Sequence, residues 1–374
     1  MPAKGDGITK RKDGRYMARY TVQTSDGPKR KTIYGKTYKE VERQLNEARA
    51  NADKGLTFDA GNLTVEEWLD CWLRDAVADT VRPVTFDKYE QMVRNHVKPS
   101  LGKLKLKALT PAHVRGLYRE KLDARLSPRT VQYVHVTLNK ALKQAVADGL
   151  IPRNVCEAVK PPRPQKREIS PLSPEQARCF LEACRGERLE ALFVLAIHTG
   201  MRQGELLGLH WEDVDLETRT LRVRRSLSRT SKGPILTAPK STKSRRRIKL
   251  TGTAAEVLKR HRAAQSAERL QLGGMWQDRG LVFPNPTGGF LNPDVLTSGP
   301  LKRPLQRAGL PSIRFHDLRH TCATILLSRG VHAKFVQELL GHASLSTTQI
   351  YTLVTSERLA AAYAAAHPRA TGRR

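Results

Sequence analysis

Hydrophobic and polar positions change rhythm four times along the chain. Near the N-terminus they alternate as strands do: Tyr16, Ala18, Tyr20 and Val22 share one face, with turns at Asp13-Gly14 and Asp26-Gly27. Three short strands are predicted there. Thr37, with Glu40 three residues on, then opens a helix that Gly55 ends. From Leu63 to Asp148 the period becomes helical. Thr64 with Glu67 makes a capping box, Thr110-Pro111 and Ser127-Pro128 each set a cap before a proline, and Gly149 follows the last of four predicted helices. Val131, Val134, Leu138, Leu142 and Val146 recur at helical spacing and face a core.

Six prolines from Pro152 to Pro174, interleaved with Lys160, Arg163, Lys166 and Arg167, predict an extended hinge that lets two domains close around a partner. Ser173-Pro174 with Gln176 then caps a new helix, and the apolar run Leu189 to Ile197 predicts a buried one. Thr199-Gly200 interrupts that run. Arg202 and Glu205, three apart, share one side of the next turn, where they read as an exposed ion pair or as part of a site. After Trp211 the chain turns to strands: Leu221 and Val223 alternate, a basic loop follows, and Ile248 and Leu250 resume. Within APKSTKSRRRIKL, Lys240 on a turn is a candidate mobile proton donor and Lys243 the alternative, while most of Arg245, Arg246 and Arg247 read as a run lying along DNA.

Charge decides the class of partner. A formal charge of +30, with 66 Lys and Arg against 36 Asp and Glu, points to a polyanion, and nucleic acid leads. The first fifty residues carry thirteen Lys and Arg against six Asp and Glu, so a basic three-stranded sheet backed by a helix suits a DNA groove. Lys88, Arg94, His96, Lys98, Arg115, Arg129 and Lys140 form a polar counterpart to the helical core that can lie on phosphates. No apolar run approaches the length of a membrane span, and MPAKGDGITK lacks the apolar centre of a signal peptide, so a cytoplasmic protein is expected. Cys71, Cys156, Cys179, Cys184 and Cys322 are odd in number and lack metal-ligand spacing, and are expected to be reduced, mostly packed thiols. With 374 residues, two or three domains are expected.

The stretch Phe315 to Tyr351, FHDLRHTCATILLSRGVHAKFVQELLGHASLSTTQIY, concentrates the chemistry. His316 and Arg319 fall near the first turn of a helix and can share a face, while His320 is expected to pack. Gly341 ends the next helix, leaving His342 in a loop, and Ser346 caps a last helix that carries Tyr351. Only the tertiary fold can bring His342 and Tyr351 together across nine residues. A tyrosine hydroxyl is about 0.1% ionised at pH 7, so forming phenolate costs about 4 kcal/mol unless cations or a base assist. Attack on a phosphodiester builds charge on its oxygens, which two arginines can grip through forked bonds.

The set TGMRQGELLGL, FHDLRHT, LLGH and the tyrosine nine residues later resembles the tyrosine recombinase family, the integrases of phages and integrative elements, over about residues 170 to 360. That resemblance implies a multidomain fold: a small three-stranded β-sheet plus helix arm-type DNA-binding domain (1–57), an all-α, SAM-like core-binding domain (62–151), a linker (152–171), and a mainly α catalytic domain with a small antiparallel sheet (172–374). It implies catalytic roles for Arg202, Lys240, His316, Arg319, His342 and Tyr351, with Glu205 supporting the site. It implies site-specific exchange of DNA strands through a 3′-phosphotyrosyl link to integrate and excise an element. Double-stranded attachment sites, a DNA-bound homotetramer, a host DNA-bending protein and an excision factor are the implied partners, with no membrane. Exchanging one phosphodiester for another is nearly isoenergetic, and the chain lacks both a phosphate-binding glycine loop and a two-metal carboxylate cluster, so no cofactor or metal is expected. The alternatives are type IB topoisomerase-like relaxation and a non-catalytic DNA-binding regulator. The alanine-rich tail from Leu359 to Ala364 either caps its own domain or docks on a neighbouring protomer.

Overall fold

The computed structural model describes residues 7–24, 27–53, 62–165, 170–239 and 244–341. The chain folds as two compact units, 1–166 and 167–374. The expected Asp26-Gly27 turn, the helix end at Gly55, Lys240, Lys243 and everything after Gly341 lie outside the described residues.

The first unit begins with an antiparallel meander, β1 (Ile8–Lys10), β2 (Tyr16–Thr24) and β3 (Gly27–Gly35), in that spatial order. Ala18 sits opposite Ile8 on one side and Ile33 on the other. Helix α1 (Tyr38–Asp53) buries Val41 and Leu45 against Ala18, with Ile8, Tyr16, Tyr20 and Ile33 packed around them. Thr37 Oγ accepts the Glu40 N–H as expected, but the Glu40 carboxylate reaches back to Lys36 N–H rather than to Thr37.

Four helical rods follow, as the capping residues predict. The first is α2 (Val65–Cys71), prolonged by a wider turn to Val77, where Ala78 N–H bonds the carbonyl five residues back. The second is α3 (Pro83–Met92), which runs through another wide turn into α4 (Lys98–Leu101). The others are α5 (Pro111–Asp123) and α6 (Pro128–Ala147), opened by Thr110 and Ser127. Val131, Val134, Leu138 and Leu142 are fully buried, Val146 partly so, and the Trp68 indole N–H donates to Ala141 O at 3.1 Å. The expected hinge begins later than residue 152. Val155, Cys156 and Val159 are apolar enough to join this core through a short helical turn, so packing continues to residue 159.

In the second unit α7 (Pro174–Ala183) carries the predicted Ser173 and Gln176 capping box, and α8 (Glu190–Thr199) is buried along nearly its whole length. Next come α9 (Gln203–Leu207), then a sheet of β4 (Val214–Asp215), β5 (Thr220–Val223) and β8 (Arg246–Lys249) in the order β4-β5-β8. Between β5 and β8 the expected basic loop is instead a hairpin, β6 (Ser226–Thr230) with β7 (Gly233–Thr237). The remaining helices are α10 (Gly252–Leu272), α11 (Pro293–Ser298), α12 (Lys302–Arg307), α13 (Phe315–Ser328) and α14 (Ala333–Leu340). Leu221, Val223 and Ile248 turn the inner face of the sheet into the core beside α8, α10 and α13. All five cysteines are free, three of them buried. Among the described residues no helix is long and apolar enough to cross a membrane.

Candidate active site

Three arginines from separate parts of the second unit meet at the carboxyl end of α14. Arg246 Nε donates to Leu339 O at 2.6 Å, Arg319 Nη2 to Leu340 O at 2.7 Å and Arg202 Nη2 to Gly341 O at 3.3 Å. Three consecutive carbonyls are thus each held by a different guanidinium. The last carbonyls of a helix lack partners within it and form the negative end of its dipole, so cations are favoured there. Gly341 takes the left-handed conformation (φ 66°) that ends the helix.

Each arginine reaches this point for a local reason. Gly200, at φ 60°, breaks the chain between α8 and α9, and a Cβ there would collide with Leu340 Cδ2. The break lets Arg202 precede α9 in an extended conformation and exposes Gly200 O, which accepts Arg319 Nη1 at 2.6 Å. Glu205 is 2% exposed, not the solvated partner of an exposed pair. Its carboxylate accepts Arg202 Nη1 at 2.7 Å, Arg202 N–H at 3.0 Å and Arg246 Nη2 at 3.0 Å. Burial alone would raise its pKa, but the charge and hydrogen bond of Arg246, with those of Arg202, hold it below the ordinary value.

Arg319, buried at 2% exposure, and the exposed His316 come from the start of α13. The His316 ring stands edge-on to His320 with centroids 4.8 Å apart, and His320 is buried as expected. Displaced water and then the charge of Arg319 lower the His316 pKa, with Arg314 and Arg202 acting in the same direction. The shift favours the neutral ring, which can accept a proton. Burial, followed by His316, pushes His320 down to about 4. Of the six candidate catalytic residues, Arg202, His316 and Arg319 are brought together, while Lys240, His342 and Tyr351 lie outside the described residues.

Residues 171–358 match the family model described as phage integrase family, and residues 64–122 match the phage integrase N-terminal SAM-like domain. The chain is 35% identical over 361 residues to a tyrosine recombinase XerC-like protein of Caldanaerobacter subterraneus subsp. tengcongensis, covering 91% of this chain and 92% of the relative. The chain belongs to the phage integrase family. As a family member it is a tyrosine-type site-specific recombinase. Its fold is shared with the Tn1549 transposon integrase solved in complex with transposon right end DNA (TM-score 0.67, 21% identity, 81% of this chain and 99% of that one). A λ integrase tetramer bound to a Holliday junction also matches (TM-score 0.57, 20% identity, 93% and 96%).

The integrase site contains one residue that the sequence reading did not single out. Arg246 does not lie along a surface: its side chain is 8% exposed and bridges Glu205 and Leu339. The signal was the strand alternation, since Arg246 stands two residues before the buried Ile248 and opposite the buried Val223. Its neighbours face outward. Arg222 and Arg247 are cross-strand partners on the outer face, joined by the exposed Arg224 and Arg245 around an open concavity. Arg224 leans on Asp213 at 3.4 Å, but among the described residues no carboxylate pairs with Arg222, Arg245 or Arg247.

Proposed function

We propose that this recombinase integrates and excises a mobile DNA element by breaking and rejoining DNA at paired attachment sites, with Tyr351 as nucleophile. The observation that carries the reading is the arginine clasp on carbonyls 339 to 341, immediately before His342. Tyr351 Oη attacks the scissile phosphorus, His316 accepts the phenolic proton, and Arg202, Arg319 and His342 stabilise charge on the phosphate oxygens. Lys240, with Lys243 as the alternative, protonates the departing 5′ oxygen. One phosphodiester is exchanged for a 3′-phosphotyrosyl diester, so a different 5′-hydroxyl can reverse the step onto a new strand. No cofactor enters this scheme.

The parts divide the task. The meander with α1, within 1–57, takes arm-type DNA, the helical unit at 62–151 the core site, and 172–374 the chemistry, with the segment within 152–171 as hinge. Exchange of four strands needs four tyrosines, and the tetramer found for λ integrase supports a homotetramer on DNA here. A host DNA-bending protein and an excision factor complete the assembly, in the bacterial cytoplasm at the nucleoid. Expression of the protein beside candidate paired sites, followed by sequencing of new junctions, tests this reading. Reciprocal recombinant junctions are expected; relaxed DNA without exchanged partners would instead favour a topoisomerase.

The outer arginine face of β5 and β8 is proposed as a track for DNA phosphates. Like charges directly opposite on adjacent strands destabilise a sheet, which suits a surface neutralised on binding. Replacing Arg222 and Arg247 together with Thr should make the fall of log affinity with log salt shallower by about 2, at roughly 0.9 for each phosphate no longer neutralised. Without DNA the variant should melt no lower than wild type. An unchanged slope with a lower melting temperature would make the pair structural.

A further inference from the structure

We infer that Arg246 is a positioning residue of the active site, acting through Glu205 and the α14 carboxyl end rather than by touching DNA. The inference rests on the recombinase reading. A guanidinium offers five N–H donors in a rigid fork, and Arg246 directs three bonds to three different elements. Nε binds Leu339 O, Nη2 binds Glu205 Oε2 at 3.0 Å and Nη1 binds Ser244 O at 3.1 Å. Ser244 is the first described residue after the segment 240–243, which includes Lys240 and Lys243. Leu339 lies three residues before His342, and Glu205 holds Arg202 by both its backbone and its side chain. One buried cation therefore ties together the residue that follows segment 240–243, the carboxylate that holds Arg202 and the segment leading to His342.

This placement separates Arg246 from Arg202, the most open arginine of the clasp. Arg202 is 38% exposed at its side chain and can turn toward a phosphate, whereas Arg246 is 8% exposed and each of its three nitrogens donates to a protein acceptor. Lysine cannot reproduce the arrangement, because a single ammonium is a point charge without the planar fork. Methionine keeps much of the stem but, among the described residues, leaves the Glu205 carboxylate to Arg202.

The test uses the full chain on nicked attachment-site DNA, measuring affinity, its salt slope and the single-turnover rate of covalent attachment. Arg246→Met should slow attachment on the order of 100-fold, as a misplacement of about 1 Å can. Its affinity and salt slope should stay within about twofold of wild type, by analogy with other buried groups that make no phosphate contact. Arg246→Lys should recover only part of the rate, and it serves in place of Arg246→Met if that variant does not fold. The outward neighbour gives the contrast: Arg245→Ala should flatten the salt slope, which Arg246→Met should not. Because Arg246 acts in part through Arg202, the loss in Arg202→Ala/Arg246→Met should be smaller than the product of the two single losses. Multiplying losses would reduce Arg246 to general structural support, and a slope flattened as in Arg245→Ala would make it a phosphate contact; either overturns the inference. Failure of the wild type to attach covalently would instead count against the recombinase reading itself.

Discussion

Tyr351→Phe leaves specific DNA binding in place and abolishes the covalent protein–DNA product. The substitution removes one oxygen and no charge, so phosphate contacts that set affinity are untouched. What disappears is the only atom in the proposed scheme that can bond to phosphorus. The cost of ionising a phenol at neutral pH, about 4 kcal/mol, is met by transferring its proton to a base. His316 is suited to that task because lost hydration and the Arg319 charge favour its neutral form. Phenylalanine has no oxygen with which to attack phosphorus, so the loss should be complete within the sensitivity of a denaturing gel. Retained attachment in this variant would remove Tyr351 from its assigned role.

Arg202→Ala should lower the single-turnover attachment rate by at least about 100-fold, the usual loss for one donor to a developing oxyanion. Its effect extends beyond the phosphate. Arg202 supplies a side-chain and a backbone bond to Glu205 and holds Gly341 O next to His342. The alanine keeps the backbone bond but leaves the buried carboxylate to Arg246 alone among side chains, so a lower melting temperature should accompany the slower rate. Arg202→Lys should fare little better, since one ammonium cannot serve Glu205, Gly341 and a phosphate at once. Affinity for DNA should change little in both. A rate near that of wild type with lysine would mean that Arg202 supplies only charge.

Much of the fold was legible because its signals are local. Thr64 with Glu67, Ser173 with Gln176, and the prolines after Thr110 and Ser127 mark helix starts through bonds spanning three residues, and each forms as predicted. The hairpin of β6 and β7 was hidden because SLSRTSKGPILT alternates weakly and carries the charge of a loop. The hinge was placed too early because its prolines outweighed three apolar residues, Val155, Cys156 and Val159.

The site divides in the same way. Arg202, His316 and Arg319 could be chosen as residues because their types suit the chemistry, yet their convergence on α14 is invisible in the sequence. The acceptors are the main-chain carbonyls of Leu339, Leu340 and Gly341, which every residue possesses. Arg246 was obscured by the basic residues on either side, although its spacing from Ile248 marked it as inward-facing. Neither the residue types nor their spacing distinguish Lys240 from Lys243.

In the proposed scheme, recombination by this chain turns on a covalent bond between Tyr351 and a DNA 3′ phosphate. The direct measurement is to trap the wild-type protein on a nicked attachment-site duplex, digest both polymers and identify the linked peptide and the DNA end by mass spectrometry. A single adduct at Tyr351 carrying a 3′ phosphate is predicted, with a free 5′-hydroxyl on the released strand. An adduct at another residue, a linkage to a 5′ phosphate, or strand cleavage with no adduct at all would contradict it.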